Sequence, residues 1–200
     1  MWKRVLDVAL TLPGLVVLSP VLLLISLLVV LTLGTPILFR QKRPGLRGQP
    51  FTLLKFRTMT EGFAADGTPL PDAQRLTRLG KFLRRTSLDE LPELLNILKG
   101  EMSLVGPRPL LMSYLDRYTP EQGRRHQVKP GITGCAQVNG RNLLSWDEKF
   151  RLDVWYVDHV TIWLDLKILG LTFWQVLRGN GISAEGHVTM PEFKGSTTKT

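Results

Sequence analysis

The stretch VLDVALTLPGLVVLSPVLLLISLLVVLTL, residues 5–33, decides the fold. Only Asp7, Thr11, Ser19, Ser26 and Thr32 interrupt its apolar character. As a helix it would run ~43 Å, against a hydrocarbon core of roughly 30 Å, so it is long enough to cross a membrane. It is too long for a secretory signal, and no small-x-small cleavage site follows it. Two features oppose a plain crossing. Pro13-Gly14 and Ser19-Pro20 lie inside the run, and proline removes an i→i−4 hydrogen bond, so a bend is expected near Pro20. Ser19 can satisfy a carbonyl freed by that bend. Cations also flank both ends, Lys3 and Arg4 before and Arg40, Lys42 and Arg43 after. Positive charge stays cytoplasmic, which suits a helix that enters, bends and returns. Hydropathy favours spanning, charge and proline favour re-entry, and the two readings stand level.

Outward from this segment the chain is basic, with a formal net charge of +9 over 200 residues. Its partners are therefore anionic: lipid headgroups, nucleotides or nucleic acid. Arg40, Lys42, Arg43, Arg47, Lys55 and Arg57 form one acid-free cationic stretch; Arg75, Arg78, Lys81, Arg84 and Arg85 form a second. The single cysteine, Cys135, excludes an internal disulfide, and three dispersed histidines make no zinc pattern.

The remainder reads as a helix-rich α+β domain. Ile37 to Arg40 and Phe51 to Met59 look like strands, with Arg43-Pro44-Gly45 a turn between them. Glu61 to Asp72 is a loop, Arg75 to Arg85 a basic helix, and Ser87 to Leu98 a second helix closed by Gly100. Gly106-Pro-Arg-Pro109 is extended, and Leu110 to Tyr118 is helical. Val128 to Arg141 reads as loop or hairpin with a tight turn at Asn139-Gly140. Trp146 to His159 and Ile162 to Arg178 are amphipathic helices. The second of these, with Trp163, Phe173 and Trp174, suits either a membrane interface or a packed core. The expected organisation is a membrane helix over residues 1–35, a cytoplasmic domain over 36–183 and a loose polar tail over 184–200.

Chemistry concentrates at Ser87-Leu-Asp-Glu-Leu-Pro92. Ser87 with Glu90 three residues on is also a capping box, and acids in a first turn favour the helix dipole. Pro92 fits that reading poorly, since a helix begun at Ser87 would lose its bond to the Leu88 carbonyl. Arg84 and Arg85 upstream and Arg108 downstream suggest more than capping. Carboxylates among arginines stay ionised as nucleophiles or metal ligands while the arginines hold phosphate. Pro107 and Pro109 pre-orient the Arg108 guanidinium, whose fork matches a phosphate bidentately. Arg141, after Asn139-Gly140, reads first as a hairpin-turn residue and second as a phosphate or base contact, while Lys55 with Arg57, on one strand face, reads equally as solvated surface. No Walker A loop, GxGxxG, HExxH or Asp-x-Asp is present.

Seven segments occur in order: Arg40-Gln-Lys-Arg-Pro-Gly45, Lys55-Phe-Arg-Thr-Met59, Leu88-Asp-Glu-Leu-Pro92, Lys99-Gly-Glu-Met-Ser103, Gly106-Pro-Arg-Pro109, Lys129-Pro-Gly-Ile-Thr-Gly134 and Gln137-Val-Asn-Gly-Arg141. Together they resemble the bacterial sugar transferase family, the monotopic phosphoglycosyl transferases, from Lys3 to about Ser183. The resemblance implies a re-entrant helix hairpin broken at Ser19-Pro20 and an active site on the cytoplasmic face of the bacterial inner membrane. It implies a Mg²⁺-dependent reaction in which Asp89 attacks the sugar-bearing phosphate of a UDP-sugar and releases UMP. Polyprenyl phosphate then takes the phosphosugar from the aspartyl enzyme. It also implies that Glu90 serves as base or, with Asp89, as metal ligand. Lys55, Arg84, Arg108 and Arg141 would hold phosphates or nucleotide. The small members of the family favour an N-acetylated hexosamine donor.

Two other classes fit the residues less well. A bitopic protein with a nucleic-acid-binding domain would interleave stacking aromatics with its cations, and here only Phe51 and Phe56 serve, so no nucleic-acid partner is expected. An inactive adaptor on anionic lipid would lack turnover. Oligomeric state, homo-oligomer included, is left open by the sequence.

Overall fold

The computed structural model describes residues 2–64, 66–68, 70–140, 143–178 and 192–195. In chain order it holds α1 (Trp2–Leu33), β1 (Leu38–Pro44), β2 (Pro50–Phe56), α2 (Asp72–Arg75), α3 (Arg78–Thr86), α4 (Glu93–Lys99), β3 (Ser103–Val105), α5 (Pro120–Gly123), β4 (Gly131–Thr133), α6 (Cys135–Val138), α7 (Trp146–Asp158) and α8 (Ile162–Arg178). Short 3-10 turns cover Leu46–Gly48, Leu88–Glu90, Met112–Arg117 and Arg124–Gln127. The helix-rich α+β class expected from the sequence is what the chain adopts.

α1 departs from the expected hairpin. It is one helix through Pro13 and Pro20, with no break at Ser19-Pro20. The physical reason is local: Pro20 cannot bond the Val16 carbonyl, and the Ser19 hydroxyl donates to that same oxygen at 2.7 Å. One face of α1 packs on the domain along its whole length. Asp7, Thr11, Ile25 and Val29 are buried, and Leu15, Leu18, Leu22 and Leu33 pack beside them. This three-four spacing is a helical stripe. On the other side Val16, Val17, Leu23, Leu24, Leu27 and Leu31 are exposed and entirely apolar.

Polar ties fasten both ends of α1. Lys3 pairs with Asp165 and donates to the Tyr156 hydroxyl at 2.9 Å. Arg4 donates to the carbonyls of Ile97 and Leu98. Asp7 accepts from the Ser103 hydroxyl and the Leu104 amide, both at 2.9 Å. At the far end the Arg57 guanidinium donates to the carbonyls of Leu33 and Pro36.

β1 and β2 form an antiparallel hairpin with Gln41 opposite Leu53. Its turn closes by a Gly45 N–H donating to the Gln49 carbonyl at 2.7 Å, slightly later than the turn expected at Arg43-Pro44-Gly45. α4 is pinned across β2 by Asn96, whose amide donates to the Thr52 carbonyl and whose oxygen accepts from the Leu54 N–H. Phe51 and Leu53 of β2, Ile97 of α4, Met102, Val105, Tyr156 and Ile168 make the main core.

Val128 to Arg141, expected as loop or hairpin, instead contributes a parallel strand. β4 pairs with β3, Ser103 opposite Gly131 and Val105 opposite Thr133. Glycine permits the approach: a Cβ on Gly131 would lie 2.1 Å from the Gly106 nitrogen, and one on Gly106 2.4 Å from the Lys129 oxygen. The chain after Ser183, expected loose, is anchored where it is described. Phe193 is buried among Tyr114, Phe150, Tyr118 and Trp146, and Arg117 pairs with Glu192. α8 is two-faced, with Asp165 and Ile168 buried and Trp163, Phe173 and Trp174 exposed.

Candidate active site

Ser87 does not open a helix. It sits at φ 57° as the C-terminal cap of α3, its N–H donating to the Arg84 carbonyl at 3.2 Å; its side chain makes no capping hydrogen bond, and it is followed by the 3-10 turn Leu88–Glu90 rather than by an α-helix. Pro92 then opens the way to α4, which begins at Glu93. The capping-box explanation of Ser87 and Glu90 therefore fails, and Glu90 is free to point elsewhere. Its carboxylate is gripped by two cations: Lys55 Nζ at 2.6 Å and the Arg108 guanidinium, whose second nitrogen lies 3.5 Å from the other oxygen.

Each member arrives from a different element. Lys55 is on β2, one residue from the strand's end. Arg108 follows β3 in an extended segment seated against β4, where the Gly131 N–H donates to the Pro107 carbonyl at 3.0 Å. Arg84 lies in the last turn of α3, and its Nε donates to the Thr58 hydroxyl at 3.1 Å. Gly80 lets α3 close on that segment, since a Cβ there would meet the Thr58 oxygen at 2.0 Å. Lys55, Arg84, Asp89, Glu90 and Arg108 thus converge, as the sequence suggested. Arg141 lies outside the described residues.

Asp89 is buried and, among the described residues, accepts no hydrogen bond and joins no ion pair. Burial, with the neighbouring Glu90 charge adding to it, pushes its carboxyl up to about 6 against the pull of Lys55, Arg108 and Arg84. Glu90 goes the other way. Burial would raise it, but the charges and hydrogen bonds of Arg108 and Lys55 outweigh that and hold it well below the usual carboxylate range. Two adjacent acids thus have opposite characters: an isolated, basic oxygen on Asp89 and a neutralised one on Glu90. Such a pair differentiated by surroundings is a mark of a working site.

Sequence reasoning missed three residues here. Glu93 is 2 % exposed and reaches Lys55 Nζ at 3.2 Å. Burial lifts it to about 7 against Lys55, with the Glu90 charge adding to the rise. Arg125 and Asp153 form a buried pair at 2.7 Å, and Arg125 also donates to the Arg108 carbonyl at 2.8 Å. A signal existed for Asp153, which falls on the apolar face of α7 between Phe150 and Val154. No group of three acidic, histidine or cysteine side chains placed to hold a metal occurs among the described residues.

A family model described as bacterial sugar transferase matches residues 1–179, and the chain belongs to this family. It is 55% identical over 194 residues to the uncharacterized sugar transferase EpsL of Bacillus subtilis, covering 97% of this chain and 96% of that one. It is 43% identical over 181 residues to a UDP-glucose:undecaprenyl-phosphate glucose-1-phosphate transferase of Klebsiella pneumoniae, covering 86% of this chain but 39% of that one. An enzyme of the same name from Caulobacter vibrioides is 43% identical over 179 residues, covering 84% of this chain and 66% of its own.

Proposed function

We propose that the protein is a phosphoglycosyl transferase that moves a phosphosugar from a UDP-sugar to polyprenyl phosphate. The observation that carries this reading is Asp89, a buried carboxylate without a partner beside a cluster of cations. An Asp89 oxygen attacks the sugar-bearing phosphorus, the bond to the uridine phosphate breaks, and UMP leaves with the electron pair. A phosphate oxygen of the polyprenyl carrier then attacks the same phosphorus, releasing Asp89 and forming a polyprenyl diphosphate sugar. Covalent catalysis divides one hard displacement into two. A carboxyl raised to about 6 is ionised at neutral pH yet more basic than an ordinary aspartate. Lys55, Arg84 and Arg108 neutralise the phosphates, which is most of what phosphoryl transfer asks of a protein. Arg125 and Asp153 fix the backbone that presents Arg108. Glu90, held so low by two cations, is a poor proton acceptor in this state, so its first task is to array Lys55 and Arg108.

Mg²⁺ fits this set in a limited way. It takes one or two carboxylates together with substrate phosphates. Asp89 can supply one, whereas both Glu90 oxygens face cations. When bound, the ion would neutralise charge on the diphosphate.

The anchor fits a monotopic attachment to the cytoplasmic face of the inner membrane. A spanning helix has ends on opposite sides of a core roughly 30 Å thick. Here Lys3, Arg4 and Arg57 tie both ends of α1 to one polar domain, and its outer face is apolar apart from Ser19 and Thr32, whose hydroxyls are bonded to carbonyls of the helix itself. Attachment from one side, with both ends of α1 on the cytoplasmic side and its apolar face turned to the bilayer, reconciles these features.

The test is UMP release from UDP-glucose, UDP-galactose and UDP-N-acetylglucosamine, with and without undecaprenyl phosphate. One donor should support turnover, excess chelator should stop it, and donor alone should leave a phosphosugar mass on Asp89. No UMP from any donor, or an adduct on Glu90, would overturn the reading; full turnover in chelator would remove Mg²⁺ from it.

A further inference from the structure

Glu93 has no part in the reaction as written, yet it is a nearly inaccessible carboxylate on one of the reaction's cations. Lys55 Nζ has two acidic partners, Glu90 at 2.6 Å and Glu93 at 3.2 Å. The two are held differently. Glu90 belongs to the 3-10 turn Leu88–Glu90, outside any longer element. Glu93 belongs to α4, and Asn96 one turn later bonds α4 to the backbone of β2 on both sides of Leu53. Lys55 follows Leu54 on that same strand. Lysine and Glu93 are therefore carried by one locked strand–helix pair, while Glu90 is carried by a turn beside it.

A donor diphosphate competes with the Glu90 carboxylate, because both are anions offering oxygens to Lys55 and Arg108. A phosphate brings more charge and more acceptors to those two cations than one carboxylate does. Arg108, whose side chain is 42 % exposed, is open to such an exchange. Once Glu90 is displaced, a lysine on a flexible four-carbon stem would lose its nearer partner. We propose that Glu93 is the positioning residue for Lys55, keeping its ammonium in the site when substrate phosphate takes the place of Glu90. The bland alternative is an acid in the first turn of α4 that serves the helix dipole. Against it, the Glu93 side chain is spent on another element and is shut off from solvent.

This inference rests on the phosphoglycosyl reading, and a double-mutant cycle separates the two. Steady-state UMP release is measured for the full-length protein in lipid nanodiscs, as wild type, Glu93→Gln, Glu93→Leu, Lys55→Ala and both doubles. Glu93→Leu should lower kcat by about 10²-fold with little change in KM, the cost of a misplaced group at the reacting phosphate. Glu93→Gln, which keeps an acceptor for the ammonium, should lose less. In the Lys55→Ala background each Glu93 change should cost under about twofold, because residues acting through one another are not additive. Equal losses in both backgrounds would overturn the inference and return Glu93 to a structural role. Should Glu93→Leu fail to fold, the Glu93→Gln cycle alone decides. A wild type that releases no UMP overturns the underlying reading instead.

Discussion

Replacing Asp89 with asparagine should stabilise the protein while abolishing its turnover. A carboxyl lifted from 3.8 to about 6 by burial and by Glu90 burdens the folded state whenever it is ionised. That burden is about 3 kcal/mol at full ionisation. Burying the asparagine amide takes back part of this, so a net gain of about 1–2 kcal/mol is expected. For a chain of this size, that is a rise in Tm of about 2–8 °C. The pH dependence has a definite sign. Between about pH 4 and 6 the folded state binds more protons than the unfolded state, so wild-type stability falls as pH rises through this window. The asparagine variant lacks that fall. It should therefore be about 1–2 kcal/mol less stable than wild type near pH 3, where only the amide cost remains, cross it between pH 4 and 6, and keep a constant gain at pH 7–8. Tryptophan fluorescence during heating, in detergent at these pH values, measures the gap. UMP release should drop by about 10³-fold or more over the same set. A helix cap or dipole residue predicts the reverse: a loss of about 1 kcal/mol with catalysis intact. An asparagine variant less stable than wild type at pH 8 would refute the idea of an isolated buried carboxylate.

Arg108→Lys should lose about 10²-fold or more in kcat/KM at nearly unchanged Tm, since an ammonium cannot reproduce the fork that meets both Glu90 oxygens. Near-normal turnover would make Arg108 a loop residue. Cysteines at Trp2 and Arg40, both exposed, in a Cys135→Ser background should react with impermeant reagent from the cytoplasmic side alone. Periplasmic labelling at Trp2 would establish a spanning helix.

Much of the site was legible in sequence because its members announce themselves chemically. Arg108 is framed by two prolines, and Asp89-Glu90 sits between cationic runs. What pulled them together was less visible. Glu93 looks like an ordinary first-turn acid; only the crossing of α4 over β2, set by Asn96, turns it toward Lys55. Arg125 reads as one charge in the Arg124-Arg125-His126 turn, and its role depends on Asp153, 28 residues away. The β3–β4 pairing was hidden for a related reason. Each strand has three residues, too short for a period-two pattern, and the close contact is made by glycines, which carry no hydropathy signal. In sequence Ser19 reads as serving a bend at Pro20, whereas in the structure its hydroxyl lets α1 run on as one helix through the proline. A hydroxyl one residue before the proline repairs the missing bond, and hydropathy cannot register it.

The stripe along α1 has a consequence for anyone wishing to study the protein in water. Cutting away residues 2–33 would remove the greasy exterior but also Ile25, Val29 and Asp7, leaving Phe56, Leu83 and the Leu104 amide facing solvent. The helix is a wall of the building, not a tether on its outside. Solubility has to be sought by repainting that wall instead. Val16, Val17, Leu23, Leu24, Leu27 and Leu31 could be exchanged for glutamate, lysine or glutamine, all good helix formers, with the inward residues left alone.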